Sequence, residues 1–152
     1  MEKIFVDRKK CQGCKSCEIA CAVEHSKSKN LYLSINETPK PKSRVVVTVT
    51  REGTPKPVRC EHCKKPRCLE VCESQAIYRD ERGLVLVDGD RCTGCWKCVD
   101  VCPFKAIVRW EEEKKALICD YCRGLNTPTC LSACLVKAIY YCEPDEFRQR
   151  KL

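Results

Sequence analysis

Sixteen of the seventeen cysteines in this chain fall into four groups of four, and every group finishes with the same Cys-x3-Cys ending. The first group (Cys11, Cys14, Cys17, Cys21) and the third (Cys92, Cys95, Cys98, Cys102) are spaced C-x2-C-x2-C-x3-C. The second (Cys60, Cys63, Cys68, Cys72) widens the middle gap to four residues and the fourth (Cys119, Cys122, Cys130, Cys134) widens it to seven. Both wide loops carry a proline two residues before the third cysteine, Pro66 and Pro128, whose fixed φ stiffens them. Three groups continue past the last cysteine with three residues and then an Ala-Ile pair: Ala76-Ile77, Ala106-Ile107 and Ala138-Ile139. The repeat is therefore longer than its cysteines. It predicts a ligand loop, a short helical turn carrying the fourth cysteine, and a short strand starting near Ala-Ile.

A chain of 152 residues ordinarily builds one continuous apolar core. This one is short of the residues for it. Its 43% hydrophobic content includes the 17 cysteines, and without them 49 of 152 residues remain, about a third, against roughly 45–50% in ordinary globular chains. Cysteine at this density means either a disulfide scaffold in an oxidising compartment or metal ligation in a reducing one. The first ten residues, MEKIFVDRKK, carry neither an apolar h-region nor an Arg-Arg pair, and the odd cysteine count suits a closed disulfide framework poorly. The expectation is a reduced, cytoplasmic setting. The longest apolar run, Val45 to Val49 interrupted by Thr48, is far below the ~18–20 residues of a membrane-spanning helix, so no direct membrane insertion is expected.

Spacing then selects the metal chemistry. A C-x2-C-x2-C loop can wrap three corners of a cubane iron–sulfur cluster, and in the two-cluster bacterial run the cysteine after x3 ligates the neighbouring cluster. Four such groups predict four 4Fe-4S clusters whose exchanged ligands tie distant segments together. Zinc tetrads normally read as two separate C-x2-C pairs, which makes a zinc-binding scaffold module the alternative from a different class. The formal charge of +8 fits the cluster reading. An oxidised cubane with four thiolates carries about −2, so four clusters contribute about −8 and cancel the excess. No nucleic-acid motif or basic–aromatic stripe accompanies the charge, and no nucleic-acid partner is expected.

The second and third groups are separated by nineteen residues containing one good strand, Gly83 to Asp88, which suits a compact module and leaves the first and fourth groups to each other. In that nested scheme Cys11, Cys14, Cys17 and Cys134 hold one cluster, and Cys119, Cys122, Cys130 and Cys21 hold its neighbour. Cys60, Cys63, Cys68 and Cys102 hold a third, and Cys92, Cys95, Cys98 and Cys72 a fourth. Spacing alone leaves first-with-second and third-with-fourth open.

With these motifs the chain resembles the four-cluster ferredoxin subunits that serve molybdenum and tungsten oxidoreductases, hydrogenases and carbon monoxide dehydrogenases. The match runs from roughly Lys10 to Tyr140 and includes the C-x-H-C opening of the second group and the run Cys92-Thr-Gly-Cys-Trp-Lys-Cys98. The resemblance implies the nested pairing. The stretch Cys17-Glu-Ile-Ala-Cys-Ala-Val-Glu-His25 and the compact length look most like the ferredoxin-like partner of carbon monoxide dehydrogenase, with the tungsten aldehyde oxidoreductase small subunit almost as good a match. One departure is visible: only Cys102 is followed by proline, the other fourth cysteines preceding Ala22, Glu73 and Leu135.

The expected fold is α+β, two fused bacterial-ferredoxin-like modules with one nested inside the other. Residues 1–35 and 108–142 form the outer module and 60–107 the inner one. Residues 36–59 form a β-rich insertion, flanked by the strand-like run Leu31 to Ile35 and containing Arg44 to Thr50, and 143–152 are a tail. The expected function is a one-electron relay between a catalytic redox enzyme as donor and a second redox protein as acceptor, with no catalytic residue of its own. His25 and His62 are read as solvated or as neighbours of cluster ligands, and Cys142 as a free thiol. Lys15, Lys64, Arg67 and Lys97, in or beside the loops, are candidates for raising cluster potentials. From Asn36 to Arg67 nine Lys or Arg face three Glu, a bias suited either to an acidic partner or to solvation. Anaerobically purified chain should be brown and bleach with dithionite; colourless protein with stoichiometric zinc would select the scaffold instead.

Overall fold

The computed structural model describes residues 2–150. In chain order the elements are β1 (Lys3–Val6), α1 (Ser16–Glu24), α2 (Leu31–Ser34), β2 (Val46–Val49), β3 (Pro55–Val58), α3 (Arg67–Glu70) and β4 (Ile77–Arg79). They continue as β5 (Val85–Val87), α4 (Lys97–Val101), β6 (Val108–Trp110), β7 (Lys115–Leu117), α5 (Thr129–Ser132), β8 (Ile139–Cys142) and α6 (Pro144–Arg150). The fold is a small mixed α/β one in which every strand pairs antiparallel with a single partner: β1 with β8, β2 with β3, β4 with β5 and β6 with β7. Two-stranded ribbons are marginal in isolation, so each has to pack on something. What they pack on is cysteine. The core interleaves Cys17, Cys21, Cys60, Cys98, Cys119 and Cys130 with Ile4, Leu84, Val85, Ile107 and Ile139.

The Ala-Ile pairs are buried at the foot of the strands. Ala76, Ala106 and Ala138 are 0–3% exposed, and β4 and β8 begin at the following isoleucine. Each pair is entered through a left-handed residue, Gln75 (φ 53°), Lys105 (φ 52°) and Lys137 (φ 50°), which reverses the chain from helix into strand. A non-glycine residue held there costs about 1–2 kcal/mol, offset here by the alanine and isoleucine that the reversal buries.

The helices differ from the sequence expectation in one respect. In three groups the helix carries the third cysteine (Cys68 in α3, Cys98 in α4, Cys130 in α5), and the fourth lies just past its end. Only α1 is long enough, at nine residues, to hold both Cys17 and Cys21. The helices pack in twos, α1 against α5 and α3 against α4. Strand β1 against β8, with Val6 opposite Ile139, brings the first residues beside the last repeat, and α6 lies on this ribbon with Phe147 stacked on Phe5 at 4.5 Å.

The run Leu31 to Ile35 is not a strand. Asn30 caps it as the helical turn α2, its side-chain oxygen accepting from the backbone N–H of Tyr32 and Leu33; the local cap outweighs the β-propensity of the apolar run. Strand β2 lies inside Arg44 to Thr50 as the pattern indicated. Its partner β3, Pro-Lys-Pro-Val, was not legible as a strand because of its two prolines; in a two-stranded ribbon both strands are edges and proline is tolerated.

The two hairpins β2–β3 and β6–β7 serve equivalent purposes. A Cβ on Gly13 (φ +70°) would meet Pro55 of β3 at 3.1 Å, and one on Gly94 (φ +67°) would lie 2.7 Å from the Lys114 carbonyl beside β7. Each hairpin thus closes over a C-x-G-C loop. A Cβ on Gly124 (φ +92°) would meet nothing within 4 Å. Gly94→Ala should therefore lower the anaerobic unfolding midpoint well beyond Gly124→Ala, which bears only the left-handed penalty of about 1–2 kcal/mol; equal shifts would show that the hairpin does not press on the loop.

Candidate metal centre

Four thiol sets emerge from this packing. Cys11, Cys14, Cys17 and Cys134 line one cavity, Cys72, Cys92, Cys95 and Cys98 a second, and Cys21, Cys119, Cys122 and Cys130 a third. The cavities are alike in size, with about 340, 330 and 300 Å³ of space free of protein atoms. Four of the five remaining cysteines form the fourth set: beyond burial, Cys60 feels the charges of Cys68, Cys63 and Cys102. Each set draws three thiols from one loop and one from the end of another group. Cys142 lies on β8 opposite Lys3, buried and outside the three cavity linings.

The sets are also close to one another. After burial and Cys122, the charges of Cys21 and Cys17 raise Cys130, which puts the first-loop set beside the fourth-loop set. Cys98 feels Cys68 in the same way, so the third-loop set and the second-loop set are neighbours. Exposure is uneven. Cys14 and Cys95 are exposed, one on each of two sets, whereas Cys21, Cys119, Cys122 and Cys130 are all buried.

Backbone N–H groups converge on the crossing sulfurs. Ala138 donates to Cys134 Sγ at 3.2 Å, Ala106 to Cys102 Sγ at 3.4 Å, and Ile77 to Cys72 Sγ at 3.4 Å. This is the physical meaning of the repeated Ala-Ile pair: the left-handed turn before it aims an amide at the sulfur. The first group has no such pair, and its crossing sulfur, Cys21 Sγ, takes the N–H of Arg44 at 3.2 Å instead. An amide from another segment reaches the third loop as well, Ala116 to Cys92 Sγ at 3.4 Å, and within the second loop His62 donates its own N–H to Cys60 Sγ at 3.4 Å.

The chemistry of the donors fits iron–sulfur ligation. Burial pushes the Cys17, Cys68 and Cys98 thiols up to about 11 and those of Cys60 and Cys130 up to about 12. Bare thiols there stay protonated at neutral pH, and soft thiolate sets of four are what a cationic iron–sulfide core stabilises. The amides aimed at sulfur favour the ligated, anionic form.

Around the Cys21, Cys119, Cys122 and Cys130 set lies a polar network that the spacing did not disclose. Asp120 accepts from Arg44 and pairs with His25, whose Nε2 lies 3.1 Å from Oδ1. Burial opposes ionisation of Asp120, but His25 and Arg44 outweigh it and hold the carboxyl well below its ordinary range. His25 is raised to about 10: burial works against its charge, and hydrogen bonds to Asp120 and Cys21 overcome it. Its Nδ1 lies 2.7 Å from the Cys21 carbonyl oxygen. His25 is thus a partly buried neighbour of a crossing cysteine rather than a solvated residue. His62 is buried too, with its Nδ1 accepting the Val85 N–H at 3.0 Å, and burial followed by the Arg59 charge lowers it to about 4. Asp120→Asn should leave Arg44 without its anion and cost about 1–3 kcal/mol in anaerobic unfolding; an unchanged midpoint would make the network incidental.

Comparison with known proteins identifies an iron–sulfur family. The family profile described as "4Fe-4S dicluster domain" matches residues 52–143. The chain is 35% identical over 153 residues to the putative electron transport protein YsaA of Escherichia coli K12, covering 98% of this chain and 94% of that one. It is 31% identical to the electron transport protein HydN of the same strain, covering 96% and 90%. It is 34% identical to the B subunit of tetrathionate reductase from Salmonella typhimurium over 87% of this chain, and there it spans 54% of the relative's length. Among solved structures, one of the active site complex BamBC of benzoyl coenzyme A reductase aligns over 99% of this chain and 88% of its own, with TM-score 0.50 and 21% identity, which is a likeness of fold.

Proposed function

We infer that this chain, which belongs to the 4Fe-4S dicluster, ferredoxin-like family of electron-transfer subunits, is a one-electron relay through four 4Fe-4S centres and a non-catalytic component of a redox complex. A bound 4Fe-4S core takes up or releases one electron without making a bond or moving a proton. The residues proposed to hold the four cores are the four thiol sets: Cys11, Cys14, Cys17 and Cys134; Cys21, Cys119, Cys122 and Cys130; Cys60, Cys63, Cys68 and Cys102; and Cys72, Cys92, Cys95 and Cys98. What the polypeptide controls is spacing, burial, amide contacts to sulfur and local charge.

The observation that carries this reading is the contrast in exposure. Two sets come to the surface, through Cys14 and Cys95, while the fourth-loop set is wholly buried. Surface sets suit exchange with two partners, and the sets between them suit passage across. Under this reading the packing of α1 on α5 and of α3 on α4 marks two nested modules, 1–35 with 108–142 outside and 60–107 inside. Residues 36–59 are then an insertion that closes over the first loop, and 143–152 a tail whose last two residues lie outside the described ones.

For the partner, the relatives' names favour a reductase complex over carbon monoxide dehydrogenase, since tetrathionate and thiosulfate reductase subunits stand among them. The thiols gather in fours rather than in disulfide pairs, which supports a reducing compartment such as the cytoplasm. Among the described residues no helix is long and apolar enough to cross a membrane.

The test is anaerobic reconstitution of the full chain with iron and sulfide. Sixteen irons per polypeptide and four one-electron reductions are expected, and Cys102→Ser should disturb the centre of the second loop rather than that of its own. Far fewer than sixteen irons, or zinc in their place, would remove the relay.

A further inference from the structure

All four ligand loops pass through the left-handed region at the same point, the residue just before the second cysteine. It is Gly13 (φ 70°) in the first loop and Gly94 (φ 67°) in the third, but His62 (φ 46°) in the second and Tyr121 (φ 57°) in the fourth. The two glycines lie under hairpins that would crowd a side chain. The two rings instead meet each other, edge to face, with centroids 4.6 Å apart and planes at 86°. The second and fourth loops therefore abut, and His62 against Tyr121 is where their two thiol sets face one another.

One cation is buried at this junction. Arg59 immediately precedes Cys60, is 7% exposed, and lines the cavity of Cys21, Cys119, Cys122 and Cys130. Its Nη1 donates to the Cys60 carbonyl at 3.2 Å and to Glu61 Oε1 at 3.0 Å, while its buried Nε has no hydrogen-bond partner among the described residues. Glu61 is half-exposed, so water screens that counter-charge. Arg44 and the protonated His25 also lie near this cavity, and both are ion-paired with Asp120, whereas Arg59 has only the half-exposed Glu61. By comparison, the cavity of Cys72, Cys92, Cys95 and Cys98 is lined by no charged side chain, and that of Cys11, Cys14, Cys17 and Cys134 only by the exposed Lys15.

We propose that Arg59 is a positioning cation that sets the potential at this junction, making the Cys21, Cys119, Cys122 and Cys130 site the point in the relay where an electron is held most strongly. The inference rests on the relay reading above. An electron delivered there from a neighbouring reduced centre adds one negative charge with no accompanying proton, and a fixed, desolvated guanidinium favours the reduced form. The charge is permanent, because arginine does not deprotonate in proteins. An electron entering from either surface set would then fall towards this junction and leave when a partner of higher potential docks.

The experiment is a mediator titration of the full reconstituted chain, with dithionite as reductant and electron paramagnetic resonance as readout, on Arg59→Met, Arg59→Lys and Glu61→Gln. In Arg59→Met the equilibrium constant for reducing the highest-potential centre should fall about tenfold, ~59 mV for one electron, with smaller changes elsewhere. Arg59→Lys, which keeps the charge, should hold that centre near its original value. Glu61→Gln, a change at a half-exposed position, should move it upward by a smaller amount. Arg59→Met with full iron and unaltered potentials would overturn the proposal, as would Arg59→Lys behaving like Arg59→Met, since a merely structural arginine predicts both. If Arg59→Met loses iron, Glu61→Gln decides: a potential that stays put or falls overturns the assignment. Low iron in the unsubstituted chain is a separate failure, of the relay itself.

Discussion

The exchange of one cysteine between loops is the constraint from which the remaining structure follows. Three thiols come from one loop, but the fourth arrives from a segment that, for Cys134 beside Cys11, Cys14 and Cys17, stands on the far side of the sequence. Such closure fixes distant segments relative to each other, a task that a protein with this little aliphatic material cannot give to a core. The short elements make sense in that light. Three- and four-residue strands and one-turn helices do not persist alone; here they hold loops at a set angle and are held by them in return.

The loops share one backbone path and diverge in what surrounds it. The left-handed residue before the second cysteine is common to all four. Where a hairpin presses down a Cβ would be crowded, tightly at Gly13 and to less than contact distance at Gly94; where two loops confront each other, His62 and Tyr121 fill the gap with rings. A single local geometry thus yields two sites roofed by hairpins and two whose loops abut. The difference lies in one side chain per loop.

The cysteine groups, the Ala-Ile pairs and the strands at Val85–Val87 and Val46–Val49 were legible because each rests on short-range spacing or alternation. The turn α2 was not, because its apolar run reads as strand until Asn30 is recognised as a cap. Nor was β3, whose prolines argue against a strand in any but a two-stranded ribbon. The electrostatics were the least legible part. Spacing directs attention to lysines inside the loops, yet Lys97 is exposed and paired with Glu73, whereas the buried cation is Arg59, just outside the motif. The C-x-H-C opening and the aromatic at Tyr121 were the signal available for the junction; what they lacked was knowledge of which loops meet.

The antiparallel ribbon of β1 and β8 has a consequence for how the molecule comes into being. As the chain leaves the ribosome, Cys11, Cys14 and Cys17 emerge early and must wait for Cys134, while the segment from Cys60 to Cys102 carries every thiol of two sets. Assembly is thereby staged: the second- and third-loop thiols can gather while translation continues, whereas the first-loop set is complete only once residues 139–142 zip against residues 3–6.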